Sequence, residues 1–349
     1  MNEIPLVDLA RRHDAVADEV EARVLEVLRS GRYVGGPLVA EVEAQAATWL
    51  GGVGAVGVGN GTDALMLGLQ ALGVKAGDEV IVPALSFFAT AGAVLARGAI
   101  PVIVDVTEAA LIDPQAVKAA WSPQVHAIIP VHLFGSVTDP IDVGVPVLDD
   151  AAQAIGAVPH PMHGRLAAVS AYPTKPWGAA GDAGFVVGRD ADVLDQVRRL
   201  ANHGRTPEGA HVVAGRNSRL DALQAAVLLG HAPTVAARQT ARQRRAQRYD
   251  QGLPSRVQAL PRTDGSSVSQ YCVLVNDRRR VQRHLANAGM ETGVYYPRPL
   301  HEEPALRHAR VTPTPVANHL AERLLALPIA DVDDADVDRV LAALHEVCR

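Results

Sequence analysis

The stretch GAVGVGNGTDALMLGLQALGVKAGDEVIVPA, residues 54–84, decides the fold. Its first part, GAVGVGN, is a short uncharged apolar run, as expected of a strand buried on both faces. GTDALMLGLQALG then places apolar residues at helical spacing and ends on Gly73, a helix stop signal. DEVIVPA is a second apolar run. Strand, helix and strand in this order make one βαβ unit, whose two strands lie parallel.

The pattern continues downstream. FFATAGAVLARG reads as a helix, IPVIVDV as a strand, DPQAVKAAW as a helix and HAIIPVH as a strand. GVPVLDD and AGFVVG add two more apolar runs. The alternation predicts a parallel sheet covered by helices on both faces. Between HAIIPVH and GVPVLDD stands only LFGSVTDPID, where a parallel crossover ordinarily carries a helix. Upstream, AVADEVEARVLEVLRSGRYVGG and LVAEVEAQAATWLGG read as amphipathic helices ended by glycine. ADVLDQVRRLANHG and NSRLDALQAAVLLGH read as helices after the last strand.

From about Val235 the texture changes. VAARQTARQRRAQRYDQGL is an arginine-rich helix. With no interleaved aromatic residue and an acidic chain overall, it reads as a solvated face rather than a nucleic-acid stripe. SVSQYCVLVN, the helix RRRVQRHLANAG and ETGVYYP predict a small α+β unit, closed by helices at NHLAERLLALP and DADVDRVLAALHEV. The chain's 349 residues are long for one core. The expected division is a large domain over residues 1–232 and a small one over 233–349.

Bulk properties exclude several classes. A net charge of −5 gives no support for a nucleic-acid partner. MNEIPLVDLARRHD has charges on both sides of a very short apolar stretch and is no signal peptide. The most apolar segment, TAGAVLARGAIPVIVDV, is broken by Arg97 and Pro101, so no membrane span is expected. The two cysteines, Cys272 and Cys348, form no metal or redox spacing. No metal is expected, and a reducing cytoplasm fits.

SAYPTKPWGAAGDAGF, residues 170–185, holds one lysine, Lys175, between Pro173 and Pro176. Most lysines keep a charged head in water. The two prolines rule out a helix interior or a central strand, so Lys175 sits on a stiff loop. In an apolar pocket the ammonium is disfavoured and the amine becomes a nucleophile, whose natural product with a carbonyl is a Schiff base.

Three other features accompany it. GNGTDAL, residues 59–65, opens a helix after a strand; backbone N–H groups there, with the Thr62 hydroxyl, suit a phosphate. Thr62 and Asp63 also read as a helix cap. In VLDDAAQAIGA, Asp150 ends an apolar strand at the rim where open α/β sheets bind ligands. A salt bridge, a cap or a protonated ring nitrogen would partner it, and Gln153 could donate to a ring oxygen. In PALSFFATA, Phe87 begins a helix and is either a core residue or a face for a flat ligand. Lysine, carboxylate, phosphate cradle and stacking ring together are what pyridoxal 5′-phosphate (PLP) requires. Its ring nitrogen must stay protonated, hence Asp150. Its phosphate must anchor it when the lysine bond breaks, hence Gly61 and Thr62.

These segments, with GRYVGGPLVAEVE, AIIPVHLFG, GRNSRLDALQAAVL and YYPRPLHEEPAL, make the sequence similar to the sugar aminotransferases of the DegT/DnrJ/EryC1/StrS family. The resemblance covers nearly the whole chain. It implies the type I fold of aspartate aminotransferase: a mostly parallel sheet with helices on both faces plus a smaller C-terminal α+β domain. It implies Lys175 as Schiff-base lysine, Asp150 as pyridinium partner and Gln153 at the cofactor's 3-hydroxyl. Gly61, Thr62 and Ser170 are implied phosphate ligands, and Phe87 the stacking ring. Asn217 is an implied phosphate ligand from a second subunit, so the resemblance implies a homodimer with shared sites. Tyr295 and Tyr296 are implied at the substrate; the planar fork of Arg219 is either a structural salt bridge or binds a carboxylate, of a hexuronate or of the amino donor. The implied reaction moves an amine from a donor, glutamate in most relatives, to a keto group of a nucleotide sugar, at C3 rather than C4. A 4-keto nucleotide-sugar aminotransferase, a cyclitol aminotransferase and a non-enzymatic regulator with the same fold are the alternatives. Two departures stand out: Tyr295 where the family has histidine, and a shorter region over residues 136–168.

Overall fold

The computed structural model describes residues 3–348. Seven strands build the main sheet: β1 (Gly54–Val58), β2 (Glu79–Pro83), β3 (Ile100–Val104), β4 (Val125–Ile128), β5 (Leu148–Asp150), β6 (Leu166–Ser170) and β7 (Gly184–Gly188). One half runs in the order β1-β7-β6-β5, the other β4-β2-β3. They join along β4 and β5 through parallel bridges at Ile128–Val147 and Val131–Asp150. Only β7 is reversed, antiparallel to both β6 and β1. The other six strands therefore end on one rim, which gathers Asp150 and Ser170.

Valine, isoleucine and alanine fill these strands because both faces are covered. On one face the helices Gly61–Ala71, Phe88–Ala96 and Ala191–Ala201 bury Leu65, Leu67, Val94 and Leu194 against Val56, Val58 and Ala168. On the other, Pro37–Leu50 and Ala222–His231 bury Val42, Leu50 and Leu228 against Ala55, Val169 and Phe185. Full burial of each large aliphatic side chain contributes roughly 1.5–3 kcal/mol.

Four further strands lie downstream: β8 (Gln258–Ala259), β9 (Tyr271–Leu274), β10 (Arg310–Val311) and β11 (Leu324–Leu327). A small antiparallel sheet runs β11-β9-β8. It has its own core of Tyr249, Tyr271, Val273, Leu325 and Leu344, joined by Ile4 from the N-terminal segment. β10 instead extends the main sheet, parallel to β3.

Several elements differ from the sequence expectation. β6 was not anticipated: LAAVS is alanine-rich and short, with little strand propensity of its own. The helix expected through residues 318–328 stops at Arg323, and Leu324–Leu327 pairs antiparallel with β9. A run of leucines buried on all sides satisfies either structure, and the vacant edge of β9 decides. The arginine-rich helix, Val235–Gly252, is not a solvated face throughout. Arg244 and Arg248 are exposed, but Arg242 is buried. Residues 136–147 hold no helix; the crossover is irregular chain. Among the described residues no helix is long and apolar enough to cross a membrane.

Candidate active site

Lys175 is the best-defined element. The chain has three lysines, and Lys75 and Lys118 are exposed, whereas Lys175 is half-buried at the sheet rim. Its loop is a closed turn. Lys175 N donates to Tyr172 O at 2.8 Å, and Ala179 N donates to Ala171 O at 2.8 Å. Gly178 lies so close beneath Pro173 that a Cβ there would stand 2.2 Å from the Pro173 carbonyl. Beneath the loop Trp177 is fully buried and stacks on Phe185, ring centroids 5.4 Å apart, while its indole N–H donates to Leu228 O at 2.8 Å. Burial pushes the Lys175 amine below its ordinary value, and the charge of Asp150 opposes that shift.

Asp150 is buried at the end of β5. Thr90 Oγ1 donates to its Oδ2 at 2.9 Å, and Ala152 N donates to Oδ1 at 3.2 Å. The Ser86 hydroxyl lies 2.8 Å from Thr90 Oγ1 and extends this chain. Burial raises the carboxyl above the usual range; the bonds from Thr90 and Ala152 and the charges of Lys175 and His132 hold it down. No arginine salt bridge and no helix cap engages it among the described residues, which removes two of the partners open to it from sequence.

The neighbouring Asp149 is also buried. It accepts from His163 N at 2.8 Å and Gly164 N at 2.7 Å, and His132 Nε2 lies 3.2 Å from its Oδ1. Thr138 N donates to His132 Nδ1 at 3.1 Å. His132 N donates to Asp150 O in turn, at 3.0 Å. The irregular 136–147 segment is thereby tied to the rim.

The turn expected to cradle a phosphate has the strand–turn–helix form, with one correction. The helix cap is Asn60, whose Oδ1 accepts from Asp63 N at 2.8 Å, and not Thr62 with Asp63. Asp63 pairs with Arg216 at 2.9 Å instead, and Thr62 is exposed. Gly61 abuts Ser170, whose Cβ would stand 2.7 Å from any Cβ at position 61. The first helical N–H groups and the Ser170 hydroxyl thus converge, the donor set an anion needs at a helix N-terminus.

Phe87 is 59 % exposed, so it is no core residue. Its ring centroid lies 6.0 Å from that of Tyr296. Gln153 is buried; its Oε1 accepts from Phe134 N at 2.6 Å, leaving the amide N–H₂ to donate elsewhere. A bond with Gln153 reaches Tyr296, whose phenol is pushed well up by burial and by the charge of Asp150. Tyr295 is half-buried beside Tyr296, ring centroids 5.9 Å apart.

Asn217 and Arg219 flank Ser218, whose hydroxyl accepts from Gly59 N at 2.9 Å. Both are exposed, and among the described residues no recorded contact joins either to Lys175 of the same chain. Arg219 Nη1 donates to Asn202 Oδ1 at 3.2 Å and lines a cavity of about 420 Å³ with Val34, Gly35, Arg198 and Arg205. Among the described residues no group of three or more His, Cys, Asp or Glu side chains could hold a metal.

Sequence reasoning missed Thr90, Ser86, His132 and Asp149. The lysine count was a usable signal for Lys175; for the others no local pattern exists.

A buried carboxylate facing a depressed-pKa lysine, beside an anion cradle and an exposed aromatic face, fits a flat anionic cofactor with a basic ring nitrogen. Comparison with known proteins agrees. The family model described as the DegT/DnrJ/EryC1/StrS aminotransferase family matches residues 14–345. The Pseudomonas aeruginosa UDP-2-acetamido-2-deoxy-3-oxo-D-glucuronate aminotransferase is 36 % identical, over 98 % of this chain and 99 % of its own. The Acidithiobacillus ferrooxidans UDP-N-acetyl-3-dehydro-alpha-D-glucosamine 3-aminotransferase is 39 % identical, over 93 % of this chain and 92 % of its own. Among solved structures, S. venezuelae DesV in complex with a ketimine intermediate superposes with a TM-score of 0.93 at 34 % identity, covering 99 % of this chain and 98 % of that one. The chain belongs to the DegT/DnrJ/EryC1/StrS aminotransferase family and is a PLP-dependent aminotransferase of type I fold.

Proposed function

We propose that this enzyme transfers an amine to the C3 ketone of a nucleotide-linked sugar in amino-sugar biosynthesis, with glutamate as donor. The observation that carries the reading is the Lys175–Asp150 pair on one rim, in a chain whose relatives are named for 3-oxo UDP-sugars. When bound, the cofactor supplies an electron sink for the carbon that bears the nitrogen. Lys175 would hold it covalently and, once freed, would carry the proton between the two carbons. Asp150 would keep a proton on the ring nitrogen, with Thr90 orienting its carboxylate through a bond to Oδ2. Gln153 donates from its amide to the ring hydroxyl. Gly61, Thr62 and Ser170 bind the phosphate, and Phe87 covers the ring.

Asn217 completes the phosphate site of a second subunit, and Arg219, with Tyr295 and Tyr296, binds substrate. The active unit is then a homodimer with shared sites. The exposure of Asn217 and Arg219 supports this, since both side chains are open to a second subunit. We retain the two-domain division at residues 232 and 233, supported by the second sheet and its core, with β10 crossing back to the large sheet. The free cysteines suit a reducing cytoplasm.

The test is an amine-transfer screen with glutamate against 3-keto and 4-keto nucleotide sugars and a keto-cyclitol. Turnover confined to 3-keto sugars is expected. Preference for a 4-keto sugar or the cyclitol would overturn the substrate assignment.

A further inference from the structure

Beneath the lysine loop one guanidinium joins three distant parts of the chain. Arg12 lies on the helix Leu9–Asp14 and is only 6 % exposed. Its Nη1 donates to the carbonyls of Pro173 at 2.8 Å and of Lys175 itself at 3.1 Å. Its Nε and Nη2 both donate to Asp331 Oδ2, at 3.1 and 2.6 Å. Asp331 stands just before the final helix, Asp334–Val347, with φ +56°, a conformation uncommon outside glycine.

The surroundings leave this arrangement few alternatives. Arg238 and Arg242 lie one turn apart on the inward side of the helix Val235–Gly252, and Arg242 is 2 % exposed. Three guanidinium nitrogens of Arg238 and two of Arg242 are buried without a protein partner. The charges of Arg12, Arg238 and Arg245 act on Arg242, and Asp331 is the carboxylate that offsets them. Arg12 and Arg238 also bear on His231, joined there by His13, again with Asp331 opposing. Asp331 is thus strongly held, and it holds Arg12 through two bonds. The free face of the Arg12 fork can only meet the loop carbonyls.

We propose that Arg12, fixed by Asp331, is a positioning residue for Lys175: it sets the main chain of the lysine loop so that the amine keeps its place opposite Asp150. The proposal rests on Lys175 being the cofactor lysine. Trp177 and Ala180 seat the later half of the loop through bonds to Leu228 O and Gln224 Oε1. Charge-assisted bonds from Arg12 hold the half that carries Pro173 and Lys175, because they are short and directional. Small displacements of a catalytic group, near 1 Å, cost on the order of a hundredfold in rate.

The experiment compares Arg12→Met, Arg12→Lys and Asp331→Asn with wild type, all loaded with PLP. Borohydride reduction and peptide mapping of wild type come first. A label on Lys75 or Lys118 overturns the Lys175 reading, and this proposal with it, before any variant is measured. With Lys175 labelled, Arg12→Met and Asp331→Asn are expected to keep full cofactor stoichiometry but lose roughly tenfold or more in kcat, with KM values within about twofold. The pH midpoint of the lysine-linked chromophore shifts in both. Arg12→Lys recovers part of kcat, since an ammonium can reach one carbonyl but cannot fork. In the cofactor-free protein, amide hydrogen exchange in Arg12→Met rises over residues 171–179 and not over 61–71. Unchanged kcat and chromophore midpoint in both Arg12→Met and Asp331→Asn overturn the proposal. So does a kcat loss matched by lost cofactor and by faster exchange throughout the sheet, which would make the pair a general stability element.

Discussion

Gly61 and Ser170, more than a hundred positions apart, touch so closely that a Cβ on the glycine would stand 2.7 Å from the serine Cβ. The helix N-terminus and the end of β6 share one small space because position 61 has no side chain. Gly61→Ala must push them apart and open the anion cradle. PLP affinity is expected to fall roughly tenfold or more, a cost of about 1.4 kcal/mol. Ser170→Ala removes one hydroxyl and should cost less. Equilibrium dialysis of the cofactor measures both; unchanged affinity in Gly61→Ala would place the phosphate elsewhere.

Asp150→Ala should leave the lysine linkage able to form yet lower turnover by roughly a hundredfold or more, as removal of a single electrostatic catalytic group does. Near-normal kcat would mean that another group holds the ring nitrogen.

Thr90→Val tests the same carboxylate more gently. The threonine bond holds the Asp150 carboxyl down against burial. Its loss lets the carboxyl titrate at higher pH, so the acid limb of the kcat profile should move upward. An unmoved limb would show that Asp150 does not set it.

Lys175 should behave as an amine of unusually low basicity. Burial disfavours its ammonium, so the neutral, nucleophilic form is present at lower pH than in a free lysine. In the cofactor-free protein, competitive acylation across pH should give Lys175 a midpoint below the ordinary 10.5, with exposed Lys75 and Lys118 as internal references. Three coincident midpoints would contradict this.

Mixed dimers test the shared site. Lys175→Ala and Arg219→Ala, each first shown inactive, are mixed after mild unfolding to let chains exchange. If each site takes its lysine from one subunit and its arginine from the other, a mixed dimer has one doubly damaged site and one intact. Random pairing then restores roughly a quarter of wild-type activity. No recovery would place both residues in one chain's site. Arg219→Lys should further weaken uronic substrates more than neutral hexoses, because only the planar fork binds a carboxylate through two bonds.

The sequence by itself determined the layered sheet, where most of its strands lie along the chain, and the cofactor the protein takes. Buried parallel strands must be continuous apolar runs, and glycines must end the helices between them, so GAVGVGN, DEVIVPA and IPVIVDV declare themselves locally. The prolines around Lys175 did the same for the loop. Tertiary structure alone decided the rest. LAAVS became β6 because a place beside β5 and β7 was open, not because alanines favour strands. Leu324–Leu327 became β11 because β9 offered an edge. Arg242 turned inward although its helix reads as polar. The bonds from Thr90 to Asp150 and from Arg12 to the carbonyl of Lys175 span 60 and 163 positions. Periodicity reports only which face of an element is covered. A hydrogen bond between residues so far apart leaves no trace in either one's neighbours, and exists only once the sheet has brought both to the same rim.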